Sequence, residues 1–154
     1  MERHLLETKA DIKAEFMISI EELYKPADFG AIDEDAMINL RQLHYKLNCV
    51  RAAYGNVMVV DSGFRTLAEQ TEIYVALKKA TAVGSQHLIG AAADVSDPKG
   101  ELKKWVLDNL AFIESQYLFM ENFNATGGLN SGWVHFQLFS FSSWAPGKSH
   151  FFIP

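Results

Sequence analysis

An α+β fold, with a small and mostly antiparallel sheet and helices packed on it, is what the sequence predicts. Three observations carry this expectation. Helix-like and strand-like segments alternate through the first two thirds of the chain. Two short strand-like runs, YLFME and WVHFQLF, follow and are joined by the Gly/Asn-rich NFNATGGLNSG, a connection that suits a hairpin loop. The length of 154 residues suits one domain, so both kinds of element must share one core.

The elements follow in order. Residues 1–30 read as an N-terminal arm. Its start, MERHLLETKADIKAEF, is charged, and ISIEELYKPADFG is a short polar segment broken by Pro26 and Gly30. Asp33 is placed to N-cap a long helix through Tyr54, in which Met37, Leu40, Leu43 with His44, Leu47 and Val50 form one apolar stripe. Gly55 is a fitting stop. Residues 56–60 (NVMVV) are short and β-rich, a strand leading into DSGFRT, and a second helix is expected from Leu67 to Lys79. Ala92 to Ser96 is a short strand, Asp97–Pro98 a turn, and a third helix runs from Lys99 to Glu114. Residues 117–121 and 133–139 are the hairpin strands, and residues from 139 on form a C-terminal tail aromatic enough to pack on the body or on a partner.

Composition narrows the function. Hydrophobic residues are 49% and charged residues 21%, ordinary for a globular protein. A formal net charge of −5 argues against a nucleic-acid binder, which needs a basic face. The one cysteine, Cys49, excludes an intrachain disulfide and sits among apolar helix residues. No window approaches the roughly 20 apolar residues of a membrane span, so no membrane partner is expected. The charged N-terminus lacks the apolar run of a signal peptide, so the chain is expected to be made in the cytoplasm. A monomer is expected.

The stretch SQHLIGAAAD sets His87 and Asp94 seven residues apart with nothing polar between them. Strand alternation says where the other ionisable groups point. In WVHFQLF, Val134, Phe136 and Leu138 share the natural core face, so His135 turns away with Trp133 and Gln137. Asp94 lies opposite Ala93 and Val95, and Glu121 opposite Leu118 and Met120. If those strands are neighbours, His87, Asp94, His135 and Glu121 converge. Two neutral imidazoles and a carboxylate are the ligand set of a catalytic zinc, which keeps a fourth position open for water or substrate. A carboxylate beside that position, Glu121, suits a general base. Gly90 to Ala93 are expected to let the backbone turn tightly between two ligands and to leave room for metal and substrate. Taken alone, His87 and Asp94 also fit a cap and a turn.

The order SGFRT, SQHLIGAAADV, GWVHFQ resembles the zinc D-Ala-D-Ala carboxypeptidase and L-alanyl-D-glutamate endopeptidase family, which includes peptidoglycan-cutting phage endolysins and vancomycin-resistance dipeptidases. Its hallmark, Ser-x-His, six residues, Asp, then Trp-x-His, is matched by Ser85, His87, Asp94, Trp133 and His135, and its upstream element by Ser62, Gly63, Phe64 and Arg65. The resemblance spans residues 35–138. It implies a hedgehog/D-Ala-D-Ala-peptidase-like fold and Zn2+ held by His87, Asp94 and His135. It also implies an oxyanion-stabilising Arg65 and substrate contacts from Ser85, Gln86 and Trp133 in a site for the peptidoglycan stem peptide. Many relatives carry the catalytic acid three residues before the last His. Here that position is Gly132, and Glu121, at the end of the preceding strand, matches the place of the acid in other phage-type members. Asp97 and Glu114 are remoter acids. The expected role is a phage or prophage endolysin, or a virion-borne wall hydrolase, reaching the wall after holin-type release or with the virion. The alternative is a catalytically silent zinc-binding structural or recognition module, since the hedgehog signalling domain shares the constellation and is thought to work by binding.

Overall fold

The computed structural model describes residues 17–121, 123, 132–141 and 144–152. The charged stretch 1–16 and most of the expected hairpin loop lie outside the described residues. The chain is α+β, as expected. Among the described residues, no helix is long and apolar enough to cross a membrane.

The long helix α1 (Glu34–Tyr54) forms where its signals place it. Asp33 accepts from the Ala36 N–H at 2.7 Å, and Gly55 ends the helix with φ 78°. Its buried stripe is Ala36, Leu40, Leu43, Leu47 and Val50. Strand β1 (Val60–Ser62) begins later than NVMVV suggested. Upstream of it, Val57 and Val59 face solvent and Met58 is buried, while the Val59 carbonyl takes the Ser96 N–H at 2.8 Å. Alternation is thus present before the ladder is.

Helix α2 (Leu67–Ala76) opens on a capping box between Thr66 and Glu69 and ends three residues early. There the chain turns through Lys78 at φ 54°. Strand β2 (Ala92–Asp97) matches expectation. The expected third helix is two: α3 (Glu101–Asp108) and α4 (Leu110–Ser115). Asn109 breaks it, with φ −129°, its amide donating to the Trp105 carbonyl at 2.8 Å. An asparagine that satisfies a helix C-terminus locally competes with continuing the helix. Strands β3 (Phe119–Glu121), β4 (Gly132–Gln137) and β5 (Phe151–Phe152) complete the sheet.

The sheet order is β1-β2-β4-β3-β5. All pairs are antiparallel except β3 with β5. One face carries Ala93, Val95, Val134, Phe136, Leu118 and Met120 into a core shared with the α1 stripe, with Leu102 and Val106 of α3 and with Ile113 of α4. The opposite face is left for polar groups, the alternation that one buried sheet face requires.

The segment from residue 17 departs from expectation, whereas the tail packs on the body as expected and adds a strand to the sheet. The segment from residue 17, expected as part of a polar arm, buries Ile18 and Leu23 in the core. Asn48 clamps the Ile18 backbone, accepting its N–H at 2.9 Å and donating to its carbonyl at 3.0 Å, while the Leu23 carbonyl receives the Phe64 N–H. The tail adds β5. His150 stacks on Phe119 at 4.4 Å and bonds the Leu118 carbonyl through Nδ1 at 2.9 Å. Two apolar anchors in a polar run, and a two-residue strand, are too sparse for periodicity to reveal.

Gly90 to Ala93 also serve the packing of the core. The tight turn is there, with Gly90 at φ 71°. But Ala91, Ala92 and Ala93 are wholly buried, and a Cβ on Gly90 would lie 2.6 Å from the Ala36 carbonyl oxygen. Gly90 lets α1 approach closely, and Ala91 and Ala93 pack in the core, while Ala92 shares the Asp94 face of β2.

Candidate metal centre

Two of the candidate ligands meet by strand register. Asp94 on β2 pairs across the ladder with His135 on β4, and on its other side with Ser62 on β1. Directly paired residues of neighbouring strands share a face, so the three side chains stand in a row on the polar side. His87 reaches the same point from a 3-10 turn, Gln86–Ile89, just ahead of β2. Ser85 caps that turn, its Oγ accepting the His87 N–H at 3.3 Å. The ligand atoms of His87, Asp94 and His135 all lie within 4.8 Å of one another. His87 and His135 are buried and their rings meet edge to face at 5.2 Å. This group could hold a metal ion.

Second contacts orient each ligand. His87 Nδ1 lies 2.7 Å from the Gly63 carbonyl, to which it donates, and this turns Nε2 toward Asp94 Oδ2 at 3.4 Å. His135 Nδ1 is 2.9 Å from Asp94 Oδ1, while its Nε2 meets Gln137 Oε1 at 2.8 Å. Imidazole ligands commonly give one nitrogen to the metal and the other to a carbonyl or carboxylate that fixes the tautomer. The pattern here assigns Nε2 of His87 and Nδ1 of His135 to an ion, with Gly63 and Gln137 as orienters. Arg65 buttresses the carboxylate: Nη2 reaches Asp94 Oδ2 at 2.9 Å, Nε reaches Ser62 Oγ at 2.9 Å and Nη1 reaches Gln70 Oε1 at 3.1 Å. The guanidinium has five N–H donors, so two remain for the cleft.

Burial pushes the Asp94 carboxyl up, but hydrogen bonds from His135 and His87 and the charge of both rings outweigh it and hold Asp94 well below the usual carboxylate range. Burial pushes His135 down; its bond to Asp94, the Asp94 charge, the Glu121 charge and the Gln137 bond overcome that and raise it. A metal at Nδ1 must therefore displace a proton that Asp94 stabilises. Metal affinity should rise with pH until the raised His135 pKa is passed, and fall about tenfold per pH unit below it. Competition with a chromophoric chelator between pH 5 and 8 reads this, and a pH-independent Kd would contradict it.

One cleft of about 420 Å3 is lined by Arg65, Ser85, His87, Asp94, Glu121, Trp133 and His135, so nearly all the expected site residues are brought together. The β3–β4 register, Phe119 with Gln137 and Met120 with Phe136, carries Glu121 toward His135. Trp133 is 39% exposed at the cleft wall. Gln86 is the exception. Both ends of its amide hold the Phe139 backbone, at 2.8 and 3.0 Å, so it ties the ligand turn to the end of β4 instead of presenting its amide to a substrate. The remoter acid Asp97 caps α3, accepting the N–H groups of Leu102 and Lys103.

Sequence reading missed the contribution of α2. Gln70, Ile73, Tyr74 and Leu77 follow helical spacing, and Ile73, Tyr74 and Leu77 line the cleft. Gln70 is fully buried behind Arg65. The spacing was visible; that this stripe faces a cleft and leaves Leu77 57% exposed was not.

Gly63 links the centre to the N-terminal segment. A Cβ there would fall on the Leu23 carbonyl. Gly63→Ala should destabilise the fold by about 1–3 kcal/mol and weaken metal binding by moving the carbonyl that orients His87. Denaturant melts and a metal titration of the variant test this, and wild-type values in both would refute it.

No protein-family model matches the chain, and no curated protein matches it.

Proposed function

We propose that the protein is a zinc-dependent peptidase that hydrolyses peptide bonds in the stem peptide of bacterial peptidoglycan, in the manner of phage endolysins or virion-borne wall hydrolases. The observation that carries this reading is the His87–Asp94–His135 cluster in a cleft that Arg65 and Glu121 also line. The ordered elements Ser62 to Arg65, Ser85 to Asp94 and Trp133 to His135 support placing the chain with the zinc D-Ala-D-Ala carboxypeptidases and L-alanyl-D-glutamate endopeptidases.

The donor set suits zinc: two imidazole nitrogens and one carboxylate, with further groups that hold their orientation. Zinc bound there supplies a Lewis acid and a coordinated water of lowered pKa. The protein's own groups do the rest. Glu121, at the end of β3, takes the proton of the attacking water and passes it to the departing nitrogen. Arg65, fixed by Ser62, Gln70 and Asp94, directs its remaining N–H donors at the carbonyl oxygen as it becomes negative. Trp133 offers an aromatic wall for the peptide.

The test is incubation of the purified protein with defined muropeptides, with and without chelator, and identification of products by mass. Cleavage that chelation abolishes and zinc restores is the expected result. Cleavage indifferent to chelator would overturn the metal, and no cleavage by zinc-loaded protein would favour the silent binding module, a reading that Gly132 at the alternative acid position keeps open.

A further inference from the structure

Gln86 opens the turn that carries His87, and Gln137 stands two residues beyond His135. The backbone of Phe139 ties the two glutamines together. Pairing of β2 with β4 runs as far as Ala92 with Gln137, and the Leu138 N–H still reaches the Ala91 carbonyl at 2.9 Å. Phe139 comes next, at the exposed end of the strand, and side chains take over its backbone groups. Its N–H donates to Gln86 Oε1 at 3.0 Å. Its carbonyl accepts from Gln86 Nε2 at 2.8 Å and from Gln137 Nε2 at 2.9 Å. Gln137 Oε1 in turn meets His135 Nε2 at 2.8 Å.

The donor and acceptor roles in this chain of bonds are forced from its backbone end. A backbone N–H can only donate, and a carbonyl can only accept, through two lone pairs. The Phe139 N–H therefore sets Gln86 with its oxygen toward it, and the Phe139 carbonyl has room for one N–H from each glutamine. An amide of Gln137 that gives its NH2 to this carbonyl has only its oxygen to offer His135, so Nε2 must carry a hydrogen. Nδ1 is then the nitrogen whose lone pair can go to an ion. Turned over, the Gln137 amide would set oxygen against the Phe139 carbonyl oxygen and NH2 against Nε2, which favours the opposite tautomer.

We infer that Gln86 is a positioning residue of the metal centre: by holding the Phe139 backbone it fixes which way round Gln137 stands, and so keeps the hydrogen of His135 on Nε2 and leaves Nδ1 to the ion. The turn that carries one histidine ligand thus sets the nitrogen that the other presents. This rests on the metal reading and not on peptidase activity.

The test uses the full-length chain and needs no substrate. The His135 Nε2 proton, followed by 15N-edited NMR, should exchange with water about fivefold faster in Gln86→Ala than in wild type, the worth of one net hydrogen bond. A glutamine that merely braces the turn would leave that proton unchanged. In chelator competition Gln86→Ala should weaken zinc about tenfold, as loss of an outer-shell partner does. Gln137→Leu should weaken it at least as much, and adding Gln86→Ala to Gln137→Leu should cost nothing further, because Gln86 acts through Gln137. Wild-type exchange and zinc affinity in Gln86→Ala, or a full second loss in the double variant, would overturn the inference. If Gln86→Ala shows no cooperative melting, Gln86→Met, of similar length, carries the same expectations. If wild type binds no zinc, the metal reading fails, and proton exchange in the metal-free protein still judges the relay: faster exchange in the Gln86 variant upholds it, and equal exchange rejects it.

Discussion

Glu121→Ala should retain zinc at one per chain and lose wall-lytic activity by roughly 10²–10⁴-fold, the contribution of a positioned acid–base group. The two halves of that result have separate causes. Glu121 is outside the cluster of His87, Asp94 and His135, so removing its carboxylate leaves the donor set complete. It lines the same cleft as His87, Asp94 and His135, so it stands beside the candidate ligands. Among the described residues lining the cleft, the other carboxylate is Asp94, itself a candidate ligand. Position 132 is glycine, and Asp97 is engaged with the first turn of α3. Zinc content by elemental analysis and turbidity loss of cell walls measure the two halves. Full activity in the alanine variant would remove Glu121 from the mechanism. Absence of activity in both proteins, with zinc bound, would instead favour a binding module.

The second large effect is at the ligands. His87→Ala or His135→Ala should lower bound zinc to well below one per chain and abolish hydrolysis. Removing His135 takes away a candidate ligand, a partner of Asp94 and the contact to Gln137 together. Stability should respond as well, because an ion that binds only the folded state adds to it by mass action. At free zinc 100 times its Kd this is about 2.7 kcal/mol, a rise of roughly 5–11 °C in Tm for a chain of this size. Wild type melted with zinc and with chelator should show that gap, and His135→Ala should not. Equal melting temperatures for wild type in the two conditions would argue against a formed site.

Local signals foretold much of the architecture. Asp33 and Gly55 bound α1 because caps act through bonds within a few residues. The alternation in GWVHFQ sent Val134 and Phe136 to the core and His135 away from it, because successive strand side chains oppose one another. Asn109 shows the limit. Its helix-breaking bond to Trp105 competes with a continuous apolar pattern, and only the folded chain settles that contest. The N-terminal segment and β5 were illegible for another reason: their partners, Asn48 and β3, are distant in sequence.

At the site, the residue types and the side each strand turns toward the cleft are consequences of the sequence alone, since a period of two needs no partner. Which strands are neighbours is not such a consequence. Register across β1, β2 and β4 set Asp94 between Ser62 and His135, and the Gly63 carbonyl chose the nitrogen of His87 that faces the ligands. Those are non-local contacts between segments tens of residues apart, so it took the tertiary structure to bring three separate ionisable side chains into one centre and to place α2, with Ile73 and Tyr74, along the wall of its cleft.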